Sequence, residues 1–411
     1  MTQFRPIALC NTVAKIISKM LARRLKGVLP SVISESQSAF VPDRLITDNV
    51  LLAYEAHHFI KHRKQVRMGY MSIKLDMLNA YDRIEWSFLR AMLRQSRFGE
   101  KCVPLIMEYV ESVTYSVLVN GEQTGFLQPG RFLRQGDPLS PYLFIICTEG
   151  LISLLKAACS RGDLQGVQMG QGMDPLTHLM LVDDTFLYGH AIIQEAHVFK
   201  SIFHTYEHWS GQLVSVQKSA IQFSPNVDEG TREAISRILG MPEITSHGTY
   251  LGLPTTIGAS KKAIFNSIID RAKVKVVDWK PSLLSKAGME VFIKSVLQAI
   301  PTYTMQCCLL PIQTCNSINV ILAKYWWGQR IQKKQYTGLV GTNYVKQRVL
   351  VVLAFRISKR LIKLYLACKS GGSSLNPLLI WLGCTRPYIF QMATFGQHSW
   401  GRIRATPGET C

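Results

Sequence analysis

Apolar positions recur with two periods along the chain. Val13, Ile16, Ile17, Met20, Leu21, Leu25 and Leu29 stand three or four apart, which predicts a helix over 11–29. Asn11 or Thr12 can cap its start, and Gly27 and Pro30 mark its end. Lys15, Lys19, Arg23, Arg24 and Lys26 occupy much of its other surface. Residues 34–49 read as loop, and a helix is expected over about 48–64. Tyr70 to Leu75 alternates and predicts a strand that ends at Asp76, followed by a helix from Trp86 to about Arg97. Two strands are expected at 114–120 and 126–133, separated by Gly121 and Gly125. A turn cluster at 134–141 leads into an apolar helix over 142–158. At 179–188 two apolar runs flank Asp183 and Asp184, the pattern of a buried β-hairpin with both carboxylates at its bend. Beyond it come a helix over 194–209 closed by Gly211, a strand or loop over 214–223, a short apolar turn at 250–254, and a basic helical pattern over 261–327.

Composition narrows the class. A chain of 411 residues, 47% apolar, can bury a large core in two or three domains. Its net charge of +20 favours a polyanionic partner, nucleic acid before membrane surface. No apolar run of spanning length is free of charge; the nearest, 140–159, contains Glu149 and Lys156. The N-terminus lacks a signal-peptide form. The 10 cysteines show neither a C-x-x-C pair nor a zinc spacing, so buried free thiols in a reducing compartment are expected. Residues 329–411 hold 13 Lys and Arg but one acid, Glu409, an unusual balance for a folded domain.

The acids carry the chemistry. An Asp-Asp pair alone is weak, because a solvated turn has the same residues. Asp76 at a strand end reads equally as a helix cap. Together they say more. If the strand ending at Asp76 pairs with the hairpin bearing Asp183 and Asp184, three carboxylates converge on one sheet edge and can hold two Mg²⁺ ions. One ion would lower the pKa of an attacking hydroxyl and the other would neutralise a leaving pyrophosphate, as in-line nucleotidyl transfer requires.

The residues around these acids resemble a known family. Leu75-Asp76-Met77-Leu78-Asn79-Ala80-Tyr81-Asp82-Arg83-Ile84-Glu85-Trp86 is similar to motif A of reverse transcriptases of plant LINE-type (non-LTR) retrotransposons. Arg134-Gln135-Gly136-Asp137-Pro138-Leu139-Ser140-Pro141-Tyr142-Leu143-Phe144 resembles motif B, and the hairpin resembles motif C. Arg5-Pro6-Ile7, the stretch from Gln37 to Arg44, Tyr250-Leu251-Gly252-Leu253-Pro254 and Trp326-Trp327-Gly328 extend the resemblance over about residues 4–328. Departures include Leu181 and Val182 for the usual Phe and Ala, Leu78 and Asn79 for Ser and Lys, and Ser215 for Asn. None removes a metal ligand.

The resemblance implies an α+β right-hand polymerase: fingers, a palm with a ferredoxin-like antiparallel sheet, and a helical thumb. The expected divisions are fingers and palm over 1–225, palm end and thumb-like helices over 226–328, and a basic tail over 329–411. It implies RNA-directed DNA polymerase activity, with RNA template, DNA primer and dNTPs as partners, no membrane, and a nuclear location. Asp76 and Asp183 would hold two Mg²⁺ ions, or Mn²⁺ in their place, with Asp184 assisting. Tyr81 would lie beneath the incoming sugar as a gate against ribose. Gln135 and Gly136 would contact nucleotide and template, Lys218 would protonate pyrophosphate, and Arg44 would reach the triphosphate. The family's upstream endonuclease is expected to be missing, and a frameshift or mis-joined exon would explain the tail. Two other classes compete: a catalytically silent remnant that binds nucleic acid through its basic surface, and a maturase-type RNA-binding protein, for which no added RNA-binding domain is recognisable.

Overall fold

The computed structural model describes residues 10–62, 68–170, 172, 174–255, 261–279, 284–308 and 310–327. The expectations for 329–411 lie outside the described residues. The chain divides into two compact units, Met1–Ile264 and Phe265–Cys411.

The first unit is built on a four-stranded antiparallel sheet in the order β4-β5-β1-β6. Its strands are β1 (Tyr70–Leu75), β4 (His178–Leu181), β5 (Asp184–His190) and β6 (Ala220–Phe223). Helix α5 (Ser140–Ser160) lies between β1 and β4 in the chain, and α6 (Ile193–Ser210) between β5 and β6. This is the β-α-β-β-α-β order of a ferredoxin-like sheet. Central β1 pairs with β5 from Tyr70↔His190 to Leu75↔Thr185, and with β6 from Met71↔Phe223 to Lys74↔Ala220.

Alternation along β1 sends its side chains to two faces. Met71, Ile73 and Leu75 pack with Leu151, Ile152 and Leu155 of α5 and Phe199 and Ile202 of α6. Tyr70 packs on the opposite face with Ala53, Ala56 and Ile60 of α2 (Ile46–His62). A sheet covered on both faces needs apolar side chains in both directions, and each fully buried Leu or Ile contributes roughly 1.5–3 kcal/mol. Helix α5 starts at Ser140-Pro141, where proline's fixed φ favours a first turn. By length and composition it could cross a membrane, but most of it is buried inside the protein. Its Gly150 meets α3 (Trp86–Gln95): a Cβ there would come within 2.8 Å of Phe88 Cζ.

Several elements depart from the periodicity. Helix α1 (Thr12–Val32) forms, but it buries Ser18, Ala22, Leu25 and Leu29, whereas Val13, Ile16, Ile17 and Met20 are exposed. Two apolar rows run along this helix, and only packing selects one. Helices α4 (Cys102–Glu111) and α7 (Glu229–Leu239) were not foreseen. The second strand expected at 126–133 is instead β3 (Glu122–Leu127), paired with β2 (Tyr115–Val119). Asn120 and Gly121, both at positive φ, close that hairpin in two residues and so start β3 at once. The expected boundary at 225 falls inside the first unit, because Ile235, Leu239 and Met241 join the core cluster of β1 and β6. The described cysteines are free thiols, but only Cys147 is fully buried.

In the second unit the described residues are helical. They form α8 (Lys261–Asp278) from Phe265 onward, α9 (Lys286–Phe292), a π-turn (Ile293–Leu297), α10 (Ala299–Cys307) and α11 (Ile312–Trp327). Met289, Phe292, Leu297 and Tyr325 make a core there.

Buried imidazoles line the α2 face of the sheet. His57 stacks edge-on to Phe186 at 4.7 Å and to His247 at 5.3 Å between ring centroids. Burial pushes His57 down to about 4 and His247 down to about 3. In the unfolded chain both titrate near 6.5. The folded state therefore binds fewer protons than the unfolded one between these values, and stability rises with pH across the window. The contribution is complete above pH 6.5 and is lost as pH falls toward 4, at about 1.4 kcal/mol per pH unit for each histidine. Chemical denaturation between pH 7 and 4.5 is expected to show this slope. His57→Phe should reduce it by one proton's worth, while loss of the Nδ1 hydrogen bond to Ala53 O at 2.6 Å lowers stability without adding to the slope.

Candidate active site

Strand register brings the main chain of the candidate acids to one end of the four-stranded sheet. Asp76 is the first residue after β1, and the β1–β5 pairing ends at Leu75↔Thr185. Asp184, the residue before Thr185, therefore begins β5 at the end where Asp76 leaves β1. The hairpin between β4 and β5 closes on the pair Leu181↔Asp184. Its two turn residues are Val182 and Asp183, so the tip is shifted by one position from the expected Asp-Asp bend. Asp76, Asp183 and Asp184 are all half-buried. Among the described residues, no three or more acidic, imidazole or thiol side chains gather into a group that could hold a metal ion. The expected three-carboxylate cage is thus not preformed. The donor set still fits Mg²⁺, which is commonly held by one or two carboxylates plus substrate phosphates.

Main-chain pairing fixes Asp76. Its N–H donates to Ser219 Oγ at 3.1 Å, and its carbonyl accepts from Ser215 N at 2.8 Å. Leu78 N donates to Leu213 O at 2.8 Å, so residues 76–78 run against the 213–215 loop. Lys218 lies on this loop and is exposed. Gly211, at φ +73°, ends α6 against the 83–85 turn; a Cβ there would sit 2.6 Å from Arg83 O.

Tyr81 belongs to a 3₁₀ turn, Ala80–Asp82. Its ring stacks on Phe144 of α5, 4.6 Å between centroids and 11° from parallel. Burial first, and the nearby Asp183 charge second, push its phenol up to about 12. Tyr81 is therefore neutral near pH 7 and within electrostatic reach of Asp183. Its carbonyl accepts from Leu133 N at 2.7 Å, which laces the 76–86 segment to the approach to 134–141. Gln135 Nε2 donates to Asp82 Oδ1 at 3.2 Å, so its amide is tied to the neighbour of Tyr81. Gly136 is exposed at φ +93°, where any Cβ would be strained.

Arg44 braces its own loop. Its guanidinium donates to the carbonyls of Ser34 at 2.5 Å, Gln37 at 2.6 Å and Ile33 at 2.8 Å. Three of its donor hydrogens hold the loop's own main chain, a structural role beside the one expected from the resemblance.

Three residues have supporting roles that the sequence analysis did not assign. Asp137 is buried, and its carboxylate accepts from Ser18 Oγ, from Tyr109 OH at 3.2 Å and from Leu139 N at 3.5 Å. It joins α1, α4 and the start of α5. Gln212 is buried and donates to Ala80 O at 2.7 Å, beside Tyr81. Gln37 contacts the Val182 turn. Local pattern does not show these roles, since each residue has a partner more than 100 positions away.

Residues 1–255 match the family described as reverse transcriptase (RNA-dependent DNA polymerase). The chain belongs to the reverse transcriptase family. Among its relatives, a transposon TX1 protein of 149 kDa from Xenopus laevis is 36% identical over 153 residues, 37% of this chain and 12% of that one. A type-1 retrotransposable element R2 Pol polyprotein from Popillia japonica is 25% identical over 187 residues, 45% of this chain and 25% of that one. The chain thus spans between about an eighth and a quarter of the length of these relatives. A solved telomerase from Candida tropicalis, in complex with a fragment of telomeric RNA, aligns at a TM-score of 0.41 and 13% identity, covering 90% of this chain and 56% of that one.

The structural role of Arg44 has a measurable consequence. Arg44→Ala should lower stability by about 2 kcal/mol, since hydrogen bonds from a charged donor are lost and main-chain carbonyls are left behind. Arg44→Lys should recover only part of this, because an ammonium cannot span three carbonyls as the planar fork does. Thermal unfolding of the three proteins checks the order.

Proposed function

We propose that the chain is an RNA-directed DNA polymerase of a non-LTR retrotransposon, of the plant LINE type. It adds dNTPs to a DNA primer 3′-OH on an RNA template. The observation that carries this reading is the meeting of Asp76, at the end of β1, with the Asp183–Asp184 hairpin. It lies within a stretch that matches the reverse transcriptase family.

Asp76 and Asp183, with Asp184 assisting, would hold two divalent ions, Mg²⁺ or Mn²⁺, together with the nucleotide's phosphate oxygens. Such ions supply a lowered pKa at the primer hydroxyl and charge neutralisation at the pyrophosphate. The remaining work belongs to the chain's own groups. The Tyr81 ring, stiffened by its stack on Phe144, forms a floor beneath the sugar and leaves no room for a 2′-hydroxyl. Gly136 lets the main chain approach the template–nucleotide pair closely. Lys218 stands exposed on the loop paired with Asp76 and supplies a proton to the departing pyrophosphate. The net charge of +20 supports retention of a primer–template duplex by phosphate contacts.

Primer extension on an RNA template tests this. Synthesis should require Mg²⁺ or Mn²⁺ and stop with chelator. Asp183→Asn should reduce it by at least about 10³-fold, the scale of loss when charge stabilisation at a reacting phosphate is removed. Salt-sensitive, sequence-indifferent binding without any synthesis would replace this reading with that of a silent remnant.

A further inference from the structure

The turn that carries Asp183 is held in an unfavourable conformation. Val182, beside the aspartate, has φ +58°. A β-branched residue in the left-handed region is a genuine outlier and costs about 1–3 kcal/mol, so the surroundings must impose it. A two-residue hairpin with positive φ at its first turn position usually places glycine there.

The surroundings that touch this turn come from a distant loop. Residues 36–38 lie alongside β4: Met180 N donates to Ser36 O at 3.0 Å, and Ser38 N to Met180 O at 3.3 Å. Asn49 Nδ2 also donates to Met180 O at 2.8 Å, and its Oδ1 accepts from Ser38 Oγ at 2.8 Å. Gln37 sits between these bonds and is completely buried, at 0% exposure. Its Oε1 accepts from Val182 N at 3.2 Å and from Ala39 N at 3.1 Å. Its Nε2 faces Thr148 Oγ1 of α5 at 3.5 Å. Two main-chain N–H donors fix the amide's orientation, because an amide nitrogen could not accept from them. The Val182 N–H is the polar group next to the aspartate, and Gln37 is its partner.

We propose that Gln37 is a positioning residue for the polymerase reaction: it clamps the Val182 amide, holds the turn in its left-handed form, and so aims the Asp183 carboxylate. Gln37 touches no substrate. It acts through one hydrogen bond on the turn, 145 positions away in sequence. This proposal rests on the polymerase reading for its catalytic consequence, but not for the clamp itself.

The test uses the full chain. Gln37→Met keeps the side chain's length and removes the acceptor. Gln37→Asn keeps the amide but draws it back from Val182, and it serves where Met impairs folding. In either variant kcat for primer extension should fall by about 10- to 100-fold, the range for a small misplacement of a reacting group, while the KM for primer–template stays within about twofold. More Mg²⁺ should be needed for half-maximal rate. Amide hydrogen exchange should quicken in the peptide spanning 179–186 and not in peptides from α6. Adding Val182→Gly, which adopts positive φ freely, should restore most of the lost kcat. Unchanged kcat, unchanged exchange at the turn, or failure of Val182→Gly to rescue would each overturn the clamp. A chain that extends no primer at all sinks the polymerase reading alone, since exchange at the turn still decides whether Gln37 holds it.

Discussion

Two neighbouring carboxylates, one on a two-residue turn and one on the first residue of β5, repel each other, and the turn also contains a valine in the left-handed region. Neither feature is favourable alone. The rest of the first unit supplies what they require. Central β1 brings Asp76 to the same sheet end, and the 33–44 loop lies along β4. Local strain at functional positions persists when surrounding structure over-determines it. Here that surrounding structure is a buried amide, a parallel bridge at Met180 and an arginine that ties the loop to itself.

The loop and the sheet also share one energetic logic. Glu149 of α5 accepts from Ser34 N at 3.0 Å and Ser34 Oγ at 2.7 Å, and Thr148 faces Gln37. The same helix presents Phe144 to Tyr81 and Gly150 to Phe88. Helix α5 therefore links the loop, the 3₁₀ turn and the palm sheet through one rigid body. Buried polar groups on such a helix must be paired, so the loop's hydrogen bonds are as fixed as the core. The hairpin is braced from behind by apolar packing and from the side by polar contacts.

Much of this was legible along the chain. The strand ending at Asp76, the hairpin at 179–188, α5 and α6 follow from their periods within a residue or two. Motif spacing identified the acids before any fold was known. Less legible was what each side chain does. Arg44 read as a phosphate ligand, yet it binds three carbonyls of its own loop. Gln37 and Asp137 stand within quoted motifs, but neither they nor Gln212 showed their supporting roles, because the partners that define those roles stand 145, 119 and 132 positions away. Helix α1 packs Ser18 and Ala22 together with Leu25 and Leu29 of its apolar row and leaves Val13, Ile16, Ile17 and Met20 exposed.

The sequence by itself determined which residues are chemically able to act. Hydrophobic period fixes the elements, and side-chain chemistry fixes where oxygen ligands, a neutral phenol and an exposed lysine stand. Both are local properties. The tertiary structure alone decided which polar groups face substrate and which hold the chain together. That choice depends on hydrogen-bond partners and burial, which arise only when distant segments meet. Asp183 and Arg44 are both charged residues beside a turn; contact with the rest of the fold leaves one open and ties the other down.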